Sequence, residues 1–258
     1  MRLIMRLNKL KMKAEILLFG KIGHRLYSRR CNGNNFIGRT CSPIDITSNP
    51  TRVLVVSAHQ DDETIGIGFT IYNHCKQGHD VKILFTSDGG YNWRCDSTIS
   101  VEKNKIRMRE ARCALSQAGV KSSDVYCLGY PDSRLNQYVD NIIDELKVIG
   151  EKYSPTIVYT HSEEHGHLDH DATGRAVKKA FLGNNKIKLF EWAEYNKKYN
   201  FFSDQVSFPD EAGILDIHKY MPDQMSEKKV KEKMLSCYKS QFIPDNLKNR
   251  SDVLREVL

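Results

Sequence analysis

The chain has 258 residues, of which 40% are hydrophobic and 28% are charged, and its formal net charge is +7. This length is enough to bury a substantial core and suits one α/β domain better than two. The composition is that of an ordinary globular protein, which excludes a low-complexity or fibrous chain.

The positive charge is concentrated at the start of the chain. Residues 1–30 hold nine Lys and Arg against one acid, Glu15, which gives +8 and leaves −1 for the remainder. The remainder thus offers no electrostatic case for a nucleic-acid partner. Apolar residues recur in this leader at helical steps: Leu3, Leu7, Leu10, Ala14 and Leu17. The pattern is typical of a basic amphipathic helix that contacts an anionic membrane surface; a helix packed on the domain, a frayed terminus and an organelle transit peptide are the alternatives.

We therefore assign residues 1–50 to a basic amphipathic leader and linker, and residues 51–258 to a single domain. The seven cysteines are odd in number, scattered and without a C-x-x-C pair: Cys31, Cys41, Cys75, Cys95, Cys113, Cys127 and Cys237. This usage argues against a disulfide framework or a zinc ribbon and fits a reducing compartment. We expect a cytoplasmic protein, peripheral at a membrane if the leader binds one, and the oligomeric state is left open.

From residue 51 onward, strand and helix patterns alternate. Strands are predicted over 53–56, 80–87, 125–128, 156–160 and 186–192, and helices over 63–76, 101–117, 138–153, 172–181 and 226–238. The residues after 192, outside the last of these helices, are predicted to be mostly loop. Such alternation predicts a Rossmann-like three-layer α/β sandwich with a mostly parallel sheet of about five or more strands. In the common order 3-2-1-4-5, the first and fourth strands are neighbours.

A first candidate site follows the first predicted strand. The run of apolar residues 53–56 is typical of a strand buried on both faces, and His59, Asp61, Asp62 and Glu63 come directly after it. One aspartate can serve as a helix N-cap, but capping does not account for a histidine beside two carboxylates. At the carboxyl edge of an open α/β sheet, this cluster indicates a metal or catalytic site.

A second cluster follows the fourth predicted strand. Residues 161–171 contain four histidines and four acids. The predicted strand order brings both clusters into one crevice, at the carboxyl ends of the first and fourth strands. Two histidines and a carboxylate can hold Zn²⁺ with one position open for water. Spacing alone leaves open whether His59 or His161 is a ligand.

Both clusters carry a family resemblance. The segment Ala58-His59-Gln60-Asp61-Asp62-Glu63 resembles the A-H-P-D-D-E signature of the PIG-L/LmbE-like zinc-dependent N-acetylglucosaminyl deacetylases, and His167-Leu168-Asp169-His170 resembles their H-P-D-H motif. The resemblance extends over residues 52–192, and to residues 238–241 near the C-terminus. Gln60 and Leu168 stand where the family has proline, and since neither proline is a ligand, we expect the chemistry to survive.

The resemblance implies a role for each matching residue. His59, Asp62 and His170 would be the metal ligands, and Asp61 the general base. His167 would stabilise the oxyanion and protonate the leaving amine, with Asp169 orienting it. Arg109 and Glu110 resemble a further family element near the pocket, and an exposed helical charge pair is the alternative.

These observations predict a zinc-dependent hydrolase that removes acetyl from an N-acetylated amino sugar, such as an N-acetylglucosaminyl conjugate. One alternative is an amidase of another sugar conjugate. A second alternative is a non-catalytic sugar- or nucleotide-binding module on the same fold, although such a module has no chemical need for Asp61 beside the ligand Asp62. No glycine-rich dinucleotide fingerprint follows the first strand, which weakens a nicotinamide-enzyme interpretation.

Overall fold

The computed structural model describes residues 51–91, 96–196, 206–208, 217–220 and 225–257. The predicted leader and linker, residues 1–50, lies outside the described residues. Within the described ranges, no helix combines the length and the apolar character needed to cross a membrane.

The described strands form one seven-stranded sheet in the order β3-β2-β1-β4-β5-β7-β6. Their bounds are β1 Arg52–Ser57, β2 Asp80–Ser87, β3 Val125–Tyr130, β4 Ile157–His161, β5 Lys188–Trp192, β6 Ile217–Tyr220 and β7 Asp252–Glu256. Strands β1 to β5 are parallel, and β7 runs antiparallel to both β5 and β6. The predicted order of the first five strands is confirmed.

Five α-helices are described: α1 Asp62–Lys76, α2 Ser97–Ala118, α3 Val139–Tyr153, α4 Leu168–Phe181 and α5 Met225–Cys237. Two of them, α2 and α4, begin four residues earlier than predicted because of capping. The Asp96 side chain accepts from the backbone N–H groups of Thr98 and Ile99, so α2 begins at Ser97. His167 caps α4 by accepting from the N–H of Asp169, which places Asp169 and His170 in the first turn of that helix.

The apolar core lies on both faces of the sheet, as alternation along β1 requires. Val53 and Val55 pack in one cluster with residues of α1, α2 and α5, whereas Leu54 and Val56 pack in another with residues of α3 and α4. The predicted three-layer sandwich is thus confirmed.

The C-terminal region differs from the loop-rich prediction, since it supplies β6 and β7. Both strands are short, and β7 begins with a charged residue, Asp252, that is fully buried. Asp252 accepts hydrogen bonds from the Thr70 N–H and hydroxyl and from Lys231 Nζ. The hydrogen-bond partners of this buried polar residue lie on two helices that are distant in sequence. The sequence of β7 therefore does not alternate between apolar and polar residues, and the hydrophobic pattern did not predict the strand.

Cysteine usage argued against a disulfide framework, but the structure contains one disulfide among the described residues. Cys113 of α2 and Cys237 of α5 form a disulfide, with their Cα atoms 5.9 Å apart. Cys75 and Cys127 are free and half-buried. Because the paired cysteines are 124 residues apart in sequence, only the tertiary contact between α2 and α5 brings them together.

Candidate active site

Strands β1 and β4 lie side by side, with Val56 opposite Thr160, so the segments that follow them emerge at one edge of the sheet. His59 and Asp62 come after β1, and His167 and His170 come after β4. The rings of His59 and His167 are 4.9 Å apart, and those of His59 and His170 are 5.5 Å apart. The two sequence clusters therefore meet in one crevice at the carboxyl ends of these strands, as predicted.

His59 is held by carboxylates on both ring nitrogens. Its Nε2 lies 3.2 Å from Asp169 Oδ2 and 3.3 Å from Asp132 Oδ1, whereas its Nδ1 lies 3.0 Å from Asp62 Oδ2. Carboxylates accept hydrogen bonds, so the two acids at Nε2 favour a hydrogen on that atom. Burial lowers the pKa of His59, but Asp62, Asp132 and Asp169 together raise it well above its ordinary value. In a neutral His59 with its hydrogen on Nε2, the Nδ1 lone pair would be directed toward Asp62.

His170 faces the same carboxylate oxygen from the other side. Its Nε2 lies 3.1 Å from Asp62 Oδ2, yet this buried nitrogen makes no hydrogen bond. Two atoms that coordinate the same metal ion lie close together without forming a hydrogen bond, and His170 Nε2 and Asp62 Oδ2 have this arrangement.

The three donors fit a divalent metal. Donor atoms 2.0–2.2 Å from a tetrahedral ion lie about 3.3–3.6 Å apart, and the distances of 3.0 and 3.1 Å from Asp62 Oδ2 to the two imidazole nitrogens approach that spacing. Three other combinations bring ligand-type atoms within 4.8 Å of one another: His59 with His167 and His170, Asp62 with His161, His170 and Glu194, and His59 with Asp132 and Asp169. The donor set of two histidines and one carboxylate is typical of catalytic zinc sites.

His161 has a different environment from His59. Its Nε2 accepts a hydrogen bond of 3.0 Å from the Ala58 N–H, so the lone pair of that atom is occupied. The hydrogen then resides on Nδ1, which faces Glu194 Oε2 at 3.5 Å. Of the two histidines that spacing alone allowed as ligands, His59 lies nearer to Asp62 Oδ2, with its Nδ1 at 3.0 Å against 3.6 Å for His161 Nε2.

Asp61 lies beside an arginine that the sequence analysis did not select. Its Oδ1 is 2.8 Å from Arg107 Nη2, and the same nitrogen also donates to the Gln60 carbonyl. Burial, opposed by the positive charge of Arg107, raises the pKa of Asp61 to about 7. A carboxyl group with this pKa can exchange a proton at neutral pH.

Asp169 contacts a different histidine from the one expected. Its carboxylate accepts from the N–H groups of Ser133 and Leu135 and lies on His59. Its contact with His167 is through its backbone, whose N–H donates to His167 Nδ1 at 3.2 Å. The Asp169 carboxylate therefore orients His59, and the expectation that it orients His167 is corrected.

The arginine selected from the sequence, Arg109, is exposed and donates to the Lys105 carbonyl. Glu110 accepts from the Ser240 N–H and hydroxyl, which joins α2 to the segment after α5. Arg107, two residues earlier and on the buried side of α2, is the arginine that reaches the candidate site. The helical period of α2 was the signal that could have distinguished Arg107 from Arg109.

The two departures from the family motifs have clear positions. Gln60 is fully buried, and its amide donates to the Ser87 carbonyl at the end of β2, which anchors the loop where the family has proline. Leu168 is 69% exposed at the start of α4. Neither side chain displaces a candidate ligand.

Comparisons with known proteins show which family and which relatives this chain resembles. Residues 54–181 match the family model described as PIG-L: GlcNAc-PI de-N-acetylase. The chain is 33% identical over 133 residues to a probable N-acetyl-alpha-D-glucosaminyl L-malate deacetylase 2 of Bacillus cereus, and the match covers 50% of this chain and 60% of that relative. It is 26% identical over 204 residues to the diacetylchitobiose deacetylase of Thermococcus kodakarensis, covering 75% of this chain and 71% of that protein.

A solved structure shows the same fold. The zinc-inhibited form of teicoplanin deacetylase Orf2 superposes with a TM-score of 0.65 at 17% identity, over 81% of this chain and 98% of that one. At this identity the likeness concerns the fold, whereas the matched segment 54–181 begins within β1 and ends at the last residue of α4, and so includes both motifs. Residues 54–181 of the chain therefore form a PIG-L family domain match, which the two deacetylase relatives support.

Proposed function

We propose that this protein is a zinc-dependent hydrolase that removes the acetyl group from an N-acetylated amino sugar. The observation that supports the proposal most strongly is the convergence of His59 Nδ1, Asp62 Oδ2 and His170 Nε2 at one edge of the sheet. These three atoms would hold the ion. When bound, a divalent zinc ion supplies Lewis acidity, which polarises an amide carbonyl and makes water a better nucleophile at neutral pH.

Asp61 is the general base in this proposal. It takes a proton from the water that attacks the acetamide carbonyl, and its pKa of about 7 suits that transfer near neutrality. Arg107 holds the Asp61 carboxylate in a fixed orientation through the 2.8 Å contact.

His167 stabilises the negative charge on the carbonyl oxygen. Its Nδ1 already accepts the Asp169 N–H, so the hydrogen lies on Nε2 and is available as a hydrogen-bond donor. Burial and the neighbouring rings of His170 and His59 lower the pKa of His167 to about 3, which makes the imidazole neutral.

A neutral imidazole is a poor proton source for the leaving amine, because losing the Nε2 hydrogen would create an imidazolate. We therefore assign proton delivery to Asp61, which has just received a proton and returns it at its pKa of about 7. The acid role that the family resemblance implied for His167 is replaced by oxyanion stabilisation alone.

The substrate class follows from the relatives. Both curated relatives are named for substrates built on acetylated glucosamine, one joined to malate and one a diacetylated chitobiose. We propose that an N-acetylglucosaminyl conjugate is the substrate of this chain.

The test is acetate release from N-acetylglucosamine conjugates, measured with the purified full chain before and after chelation, together with its zinc content by elemental analysis. We expect about one zinc per chain and acetate release that chelation abolishes and zinc restores. A protein that binds zinc but releases no acetate from any conjugate would refute the deacetylase, and one that stays metal-free after zinc addition would favour a binding module.

A further inference from the structure

Behind His170, on the side away from Asp62, lies a buried glutamate that the proposed reaction does not use. Glu194 follows β5 and is 2% exposed. Its Oε2 accepts a hydrogen bond from Trp192 Nε1 at 3.3 Å and lies 3.5 Å from His161 Nδ1 and 3.9 Å from His170 Nδ1. Its other oxygen, Oε1, has no hydrogen-bond partner among the described residues.

The rings that Glu194 faces are stacked on each other. The centroids of His161 and His170 are 4.0 Å apart, and their planes meet at 26°. His161 is fixed by the Ala58 N–H on its opposite nitrogen, so it forms a rigid wall against His170. Glu194 therefore faces His170 directly and also supports the ring stacked on it.

A buried arginine supplies the opposite charge. Arg250, just before β7, is 2% exposed, and none of its three guanidinium nitrogens makes a hydrogen bond within the described part of the chain. Burial acts to lower the pKa of Arg250, and the charges of Glu194 and then of Glu164 oppose that lowering most strongly. An uncompensated guanidinium in this position would be strongly destabilising, so the acids facing it have an electrostatic role.

We propose that Glu194 is a positioning residue for His170. On the other side of the site, Asp169 and Asp132 fix the His59 tautomer by facing Nε2. Glu194 has the corresponding role for His170. A carboxylate that faces Nδ1 favours a hydrogen on Nδ1, which leaves the lone pair of Nε2 directed toward Asp62. This inference rests on the proposed metal centre and extends it to a second layer of residues.

The strand that precedes Glu194 provides a matched control. Glu191 of β5 is also 2% exposed and is also paired with a C-terminal arginine, Arg255 of β7. Glu191 contacts Lys178 rather than a histidine. Replacing either glutamate removes a buried acid beside an arginine, but only Glu194 faces the proposed ligand.

The experiment measures zinc affinity by chelator competition in wild type, Glu194→Gln, Glu191→Gln and Arg255→Met. Loss of an outer-layer partner of a metal-bound histidine costs about 10–100-fold in affinity, so we expect that loss in Glu194→Gln and near-wild-type affinity in the two controls. Glu194→Asp is the variant to use if Glu194→Gln does not fold, because it keeps the charge near Arg250 while withdrawing the carboxylate from the rings.

The visible spectrum of the cobalt-loaded protein separates positioning from direct ligation. Unchanged band positions and intensities in Glu194→Gln support positioning, whereas a changed coordination spectrum would make Glu194 a ligand and overturn the inference. Affinity in Glu194→Gln equal to that of wild type would also overturn it. A wild-type chain that binds neither ion would instead remove the metal centre of the proposed function, so the two failures are distinguishable.

Discussion

The hydroxyl of Tyr238 donates a hydrogen bond to Glu63, joining the end of α5 to the loop that holds His59 and Asp62. Glu63 is fully buried, and its two oxygens also accept from the Thr64 hydroxyl at 2.6 Å and the Asp61 N–H at 3.1 Å. The carboxylate thus connects the first motif to a residue 175 positions away in sequence.

Replacing Tyr238 by Phe should lower the free energy of unfolding by about 1–3 kcal/mol, because it leaves a buried carboxylate short of one donor. Urea denaturation measures this change. The control is Tyr126→Phe on edge strand β3, since Tyr126 is 45% exposed. Equal stability of the two variants would contradict the role assigned to the Tyr238 hydroxyl.

The adjacent aspartates should have separable phenotypes. Asp62→Ala is expected to abolish zinc binding, because Asp62 Oδ2 is the atom that both His59 Nδ1 and His170 Nε2 approach. Asp61→Ala should keep the metal and lose at least about a hundredfold in turnover, the scale typical of a missing general base. Elemental analysis and acetate release measure the two quantities in both variants.

Each variant serves as the other's control, because the two positions share the same loop. Full zinc occupancy in Asp62→Ala would remove Asp62 from the ligand set. An unchanged rate in Asp61→Ala would show that another group accepts the proton.

The candidate ligands could be selected from the sequence because their signal is local. A histidine with two carboxylates after a buried strand is unusual within a few residues, and the strand order then places β1 beside β4. Arg107 and Asp132 carry no such signal, since a single charged residue on a helix or in a turn is normally solvated. Their positions depend on which face of α2 and which end of β3 meet the crevice.

The same limit explains why Glu194 and Arg250 could not be selected from the sequence. Each is an isolated charged residue in a segment that reads as loop or strand end, and only the packing of β5 against β7 brings them to the histidines. The stacking of His161 on His170 likewise depends on tertiary packing and could not be predicted from the sequence, although both residues were in the predicted cluster.

The Cys113–Cys237 disulfide should stabilise the contact between α2 and α5. Closing a loop of 124 residues corresponds to about 5 kcal/mol in the chain-entropy model, which is an upper value for the loss expected in Cys113→Ser. Urea denaturation with and without reductant measures it. Reductant should lower the wild-type midpoint and leave that of Cys113→Ser unchanged, whereas a wild-type midpoint insensitive to reductant would indicate two free thiols.

A buried histidine remote from the metal donors should make stability depend on pH. His74 is fully buried, with Nδ1 2.8 Å from His79 Nδ1 and Nε2 3.0 Å from the Tyr159 hydroxyl. Burial, with a smaller contribution from His79, lowers the pKa of His74 to about 3.

In the unfolded chain this histidine has a pKa of about 6.5, so between about pH 6.5 and pH 3 the unfolded state binds more protons than the folded state. The stabilising contribution of the neutral imidazole is therefore complete above about pH 6.5 and is lost as the pH falls, by up to about 1.4 kcal/mol per pH unit. When the pH falls from about 7 to about 5, the free energy of unfolding measured in urea should decrease by about 2 kcal/mol less in His74→Gln than in wild type. The variant is nevertheless less stable than wild type at about pH 7. The same pH dependence in both proteins would show that His74 is not buried as a neutral group.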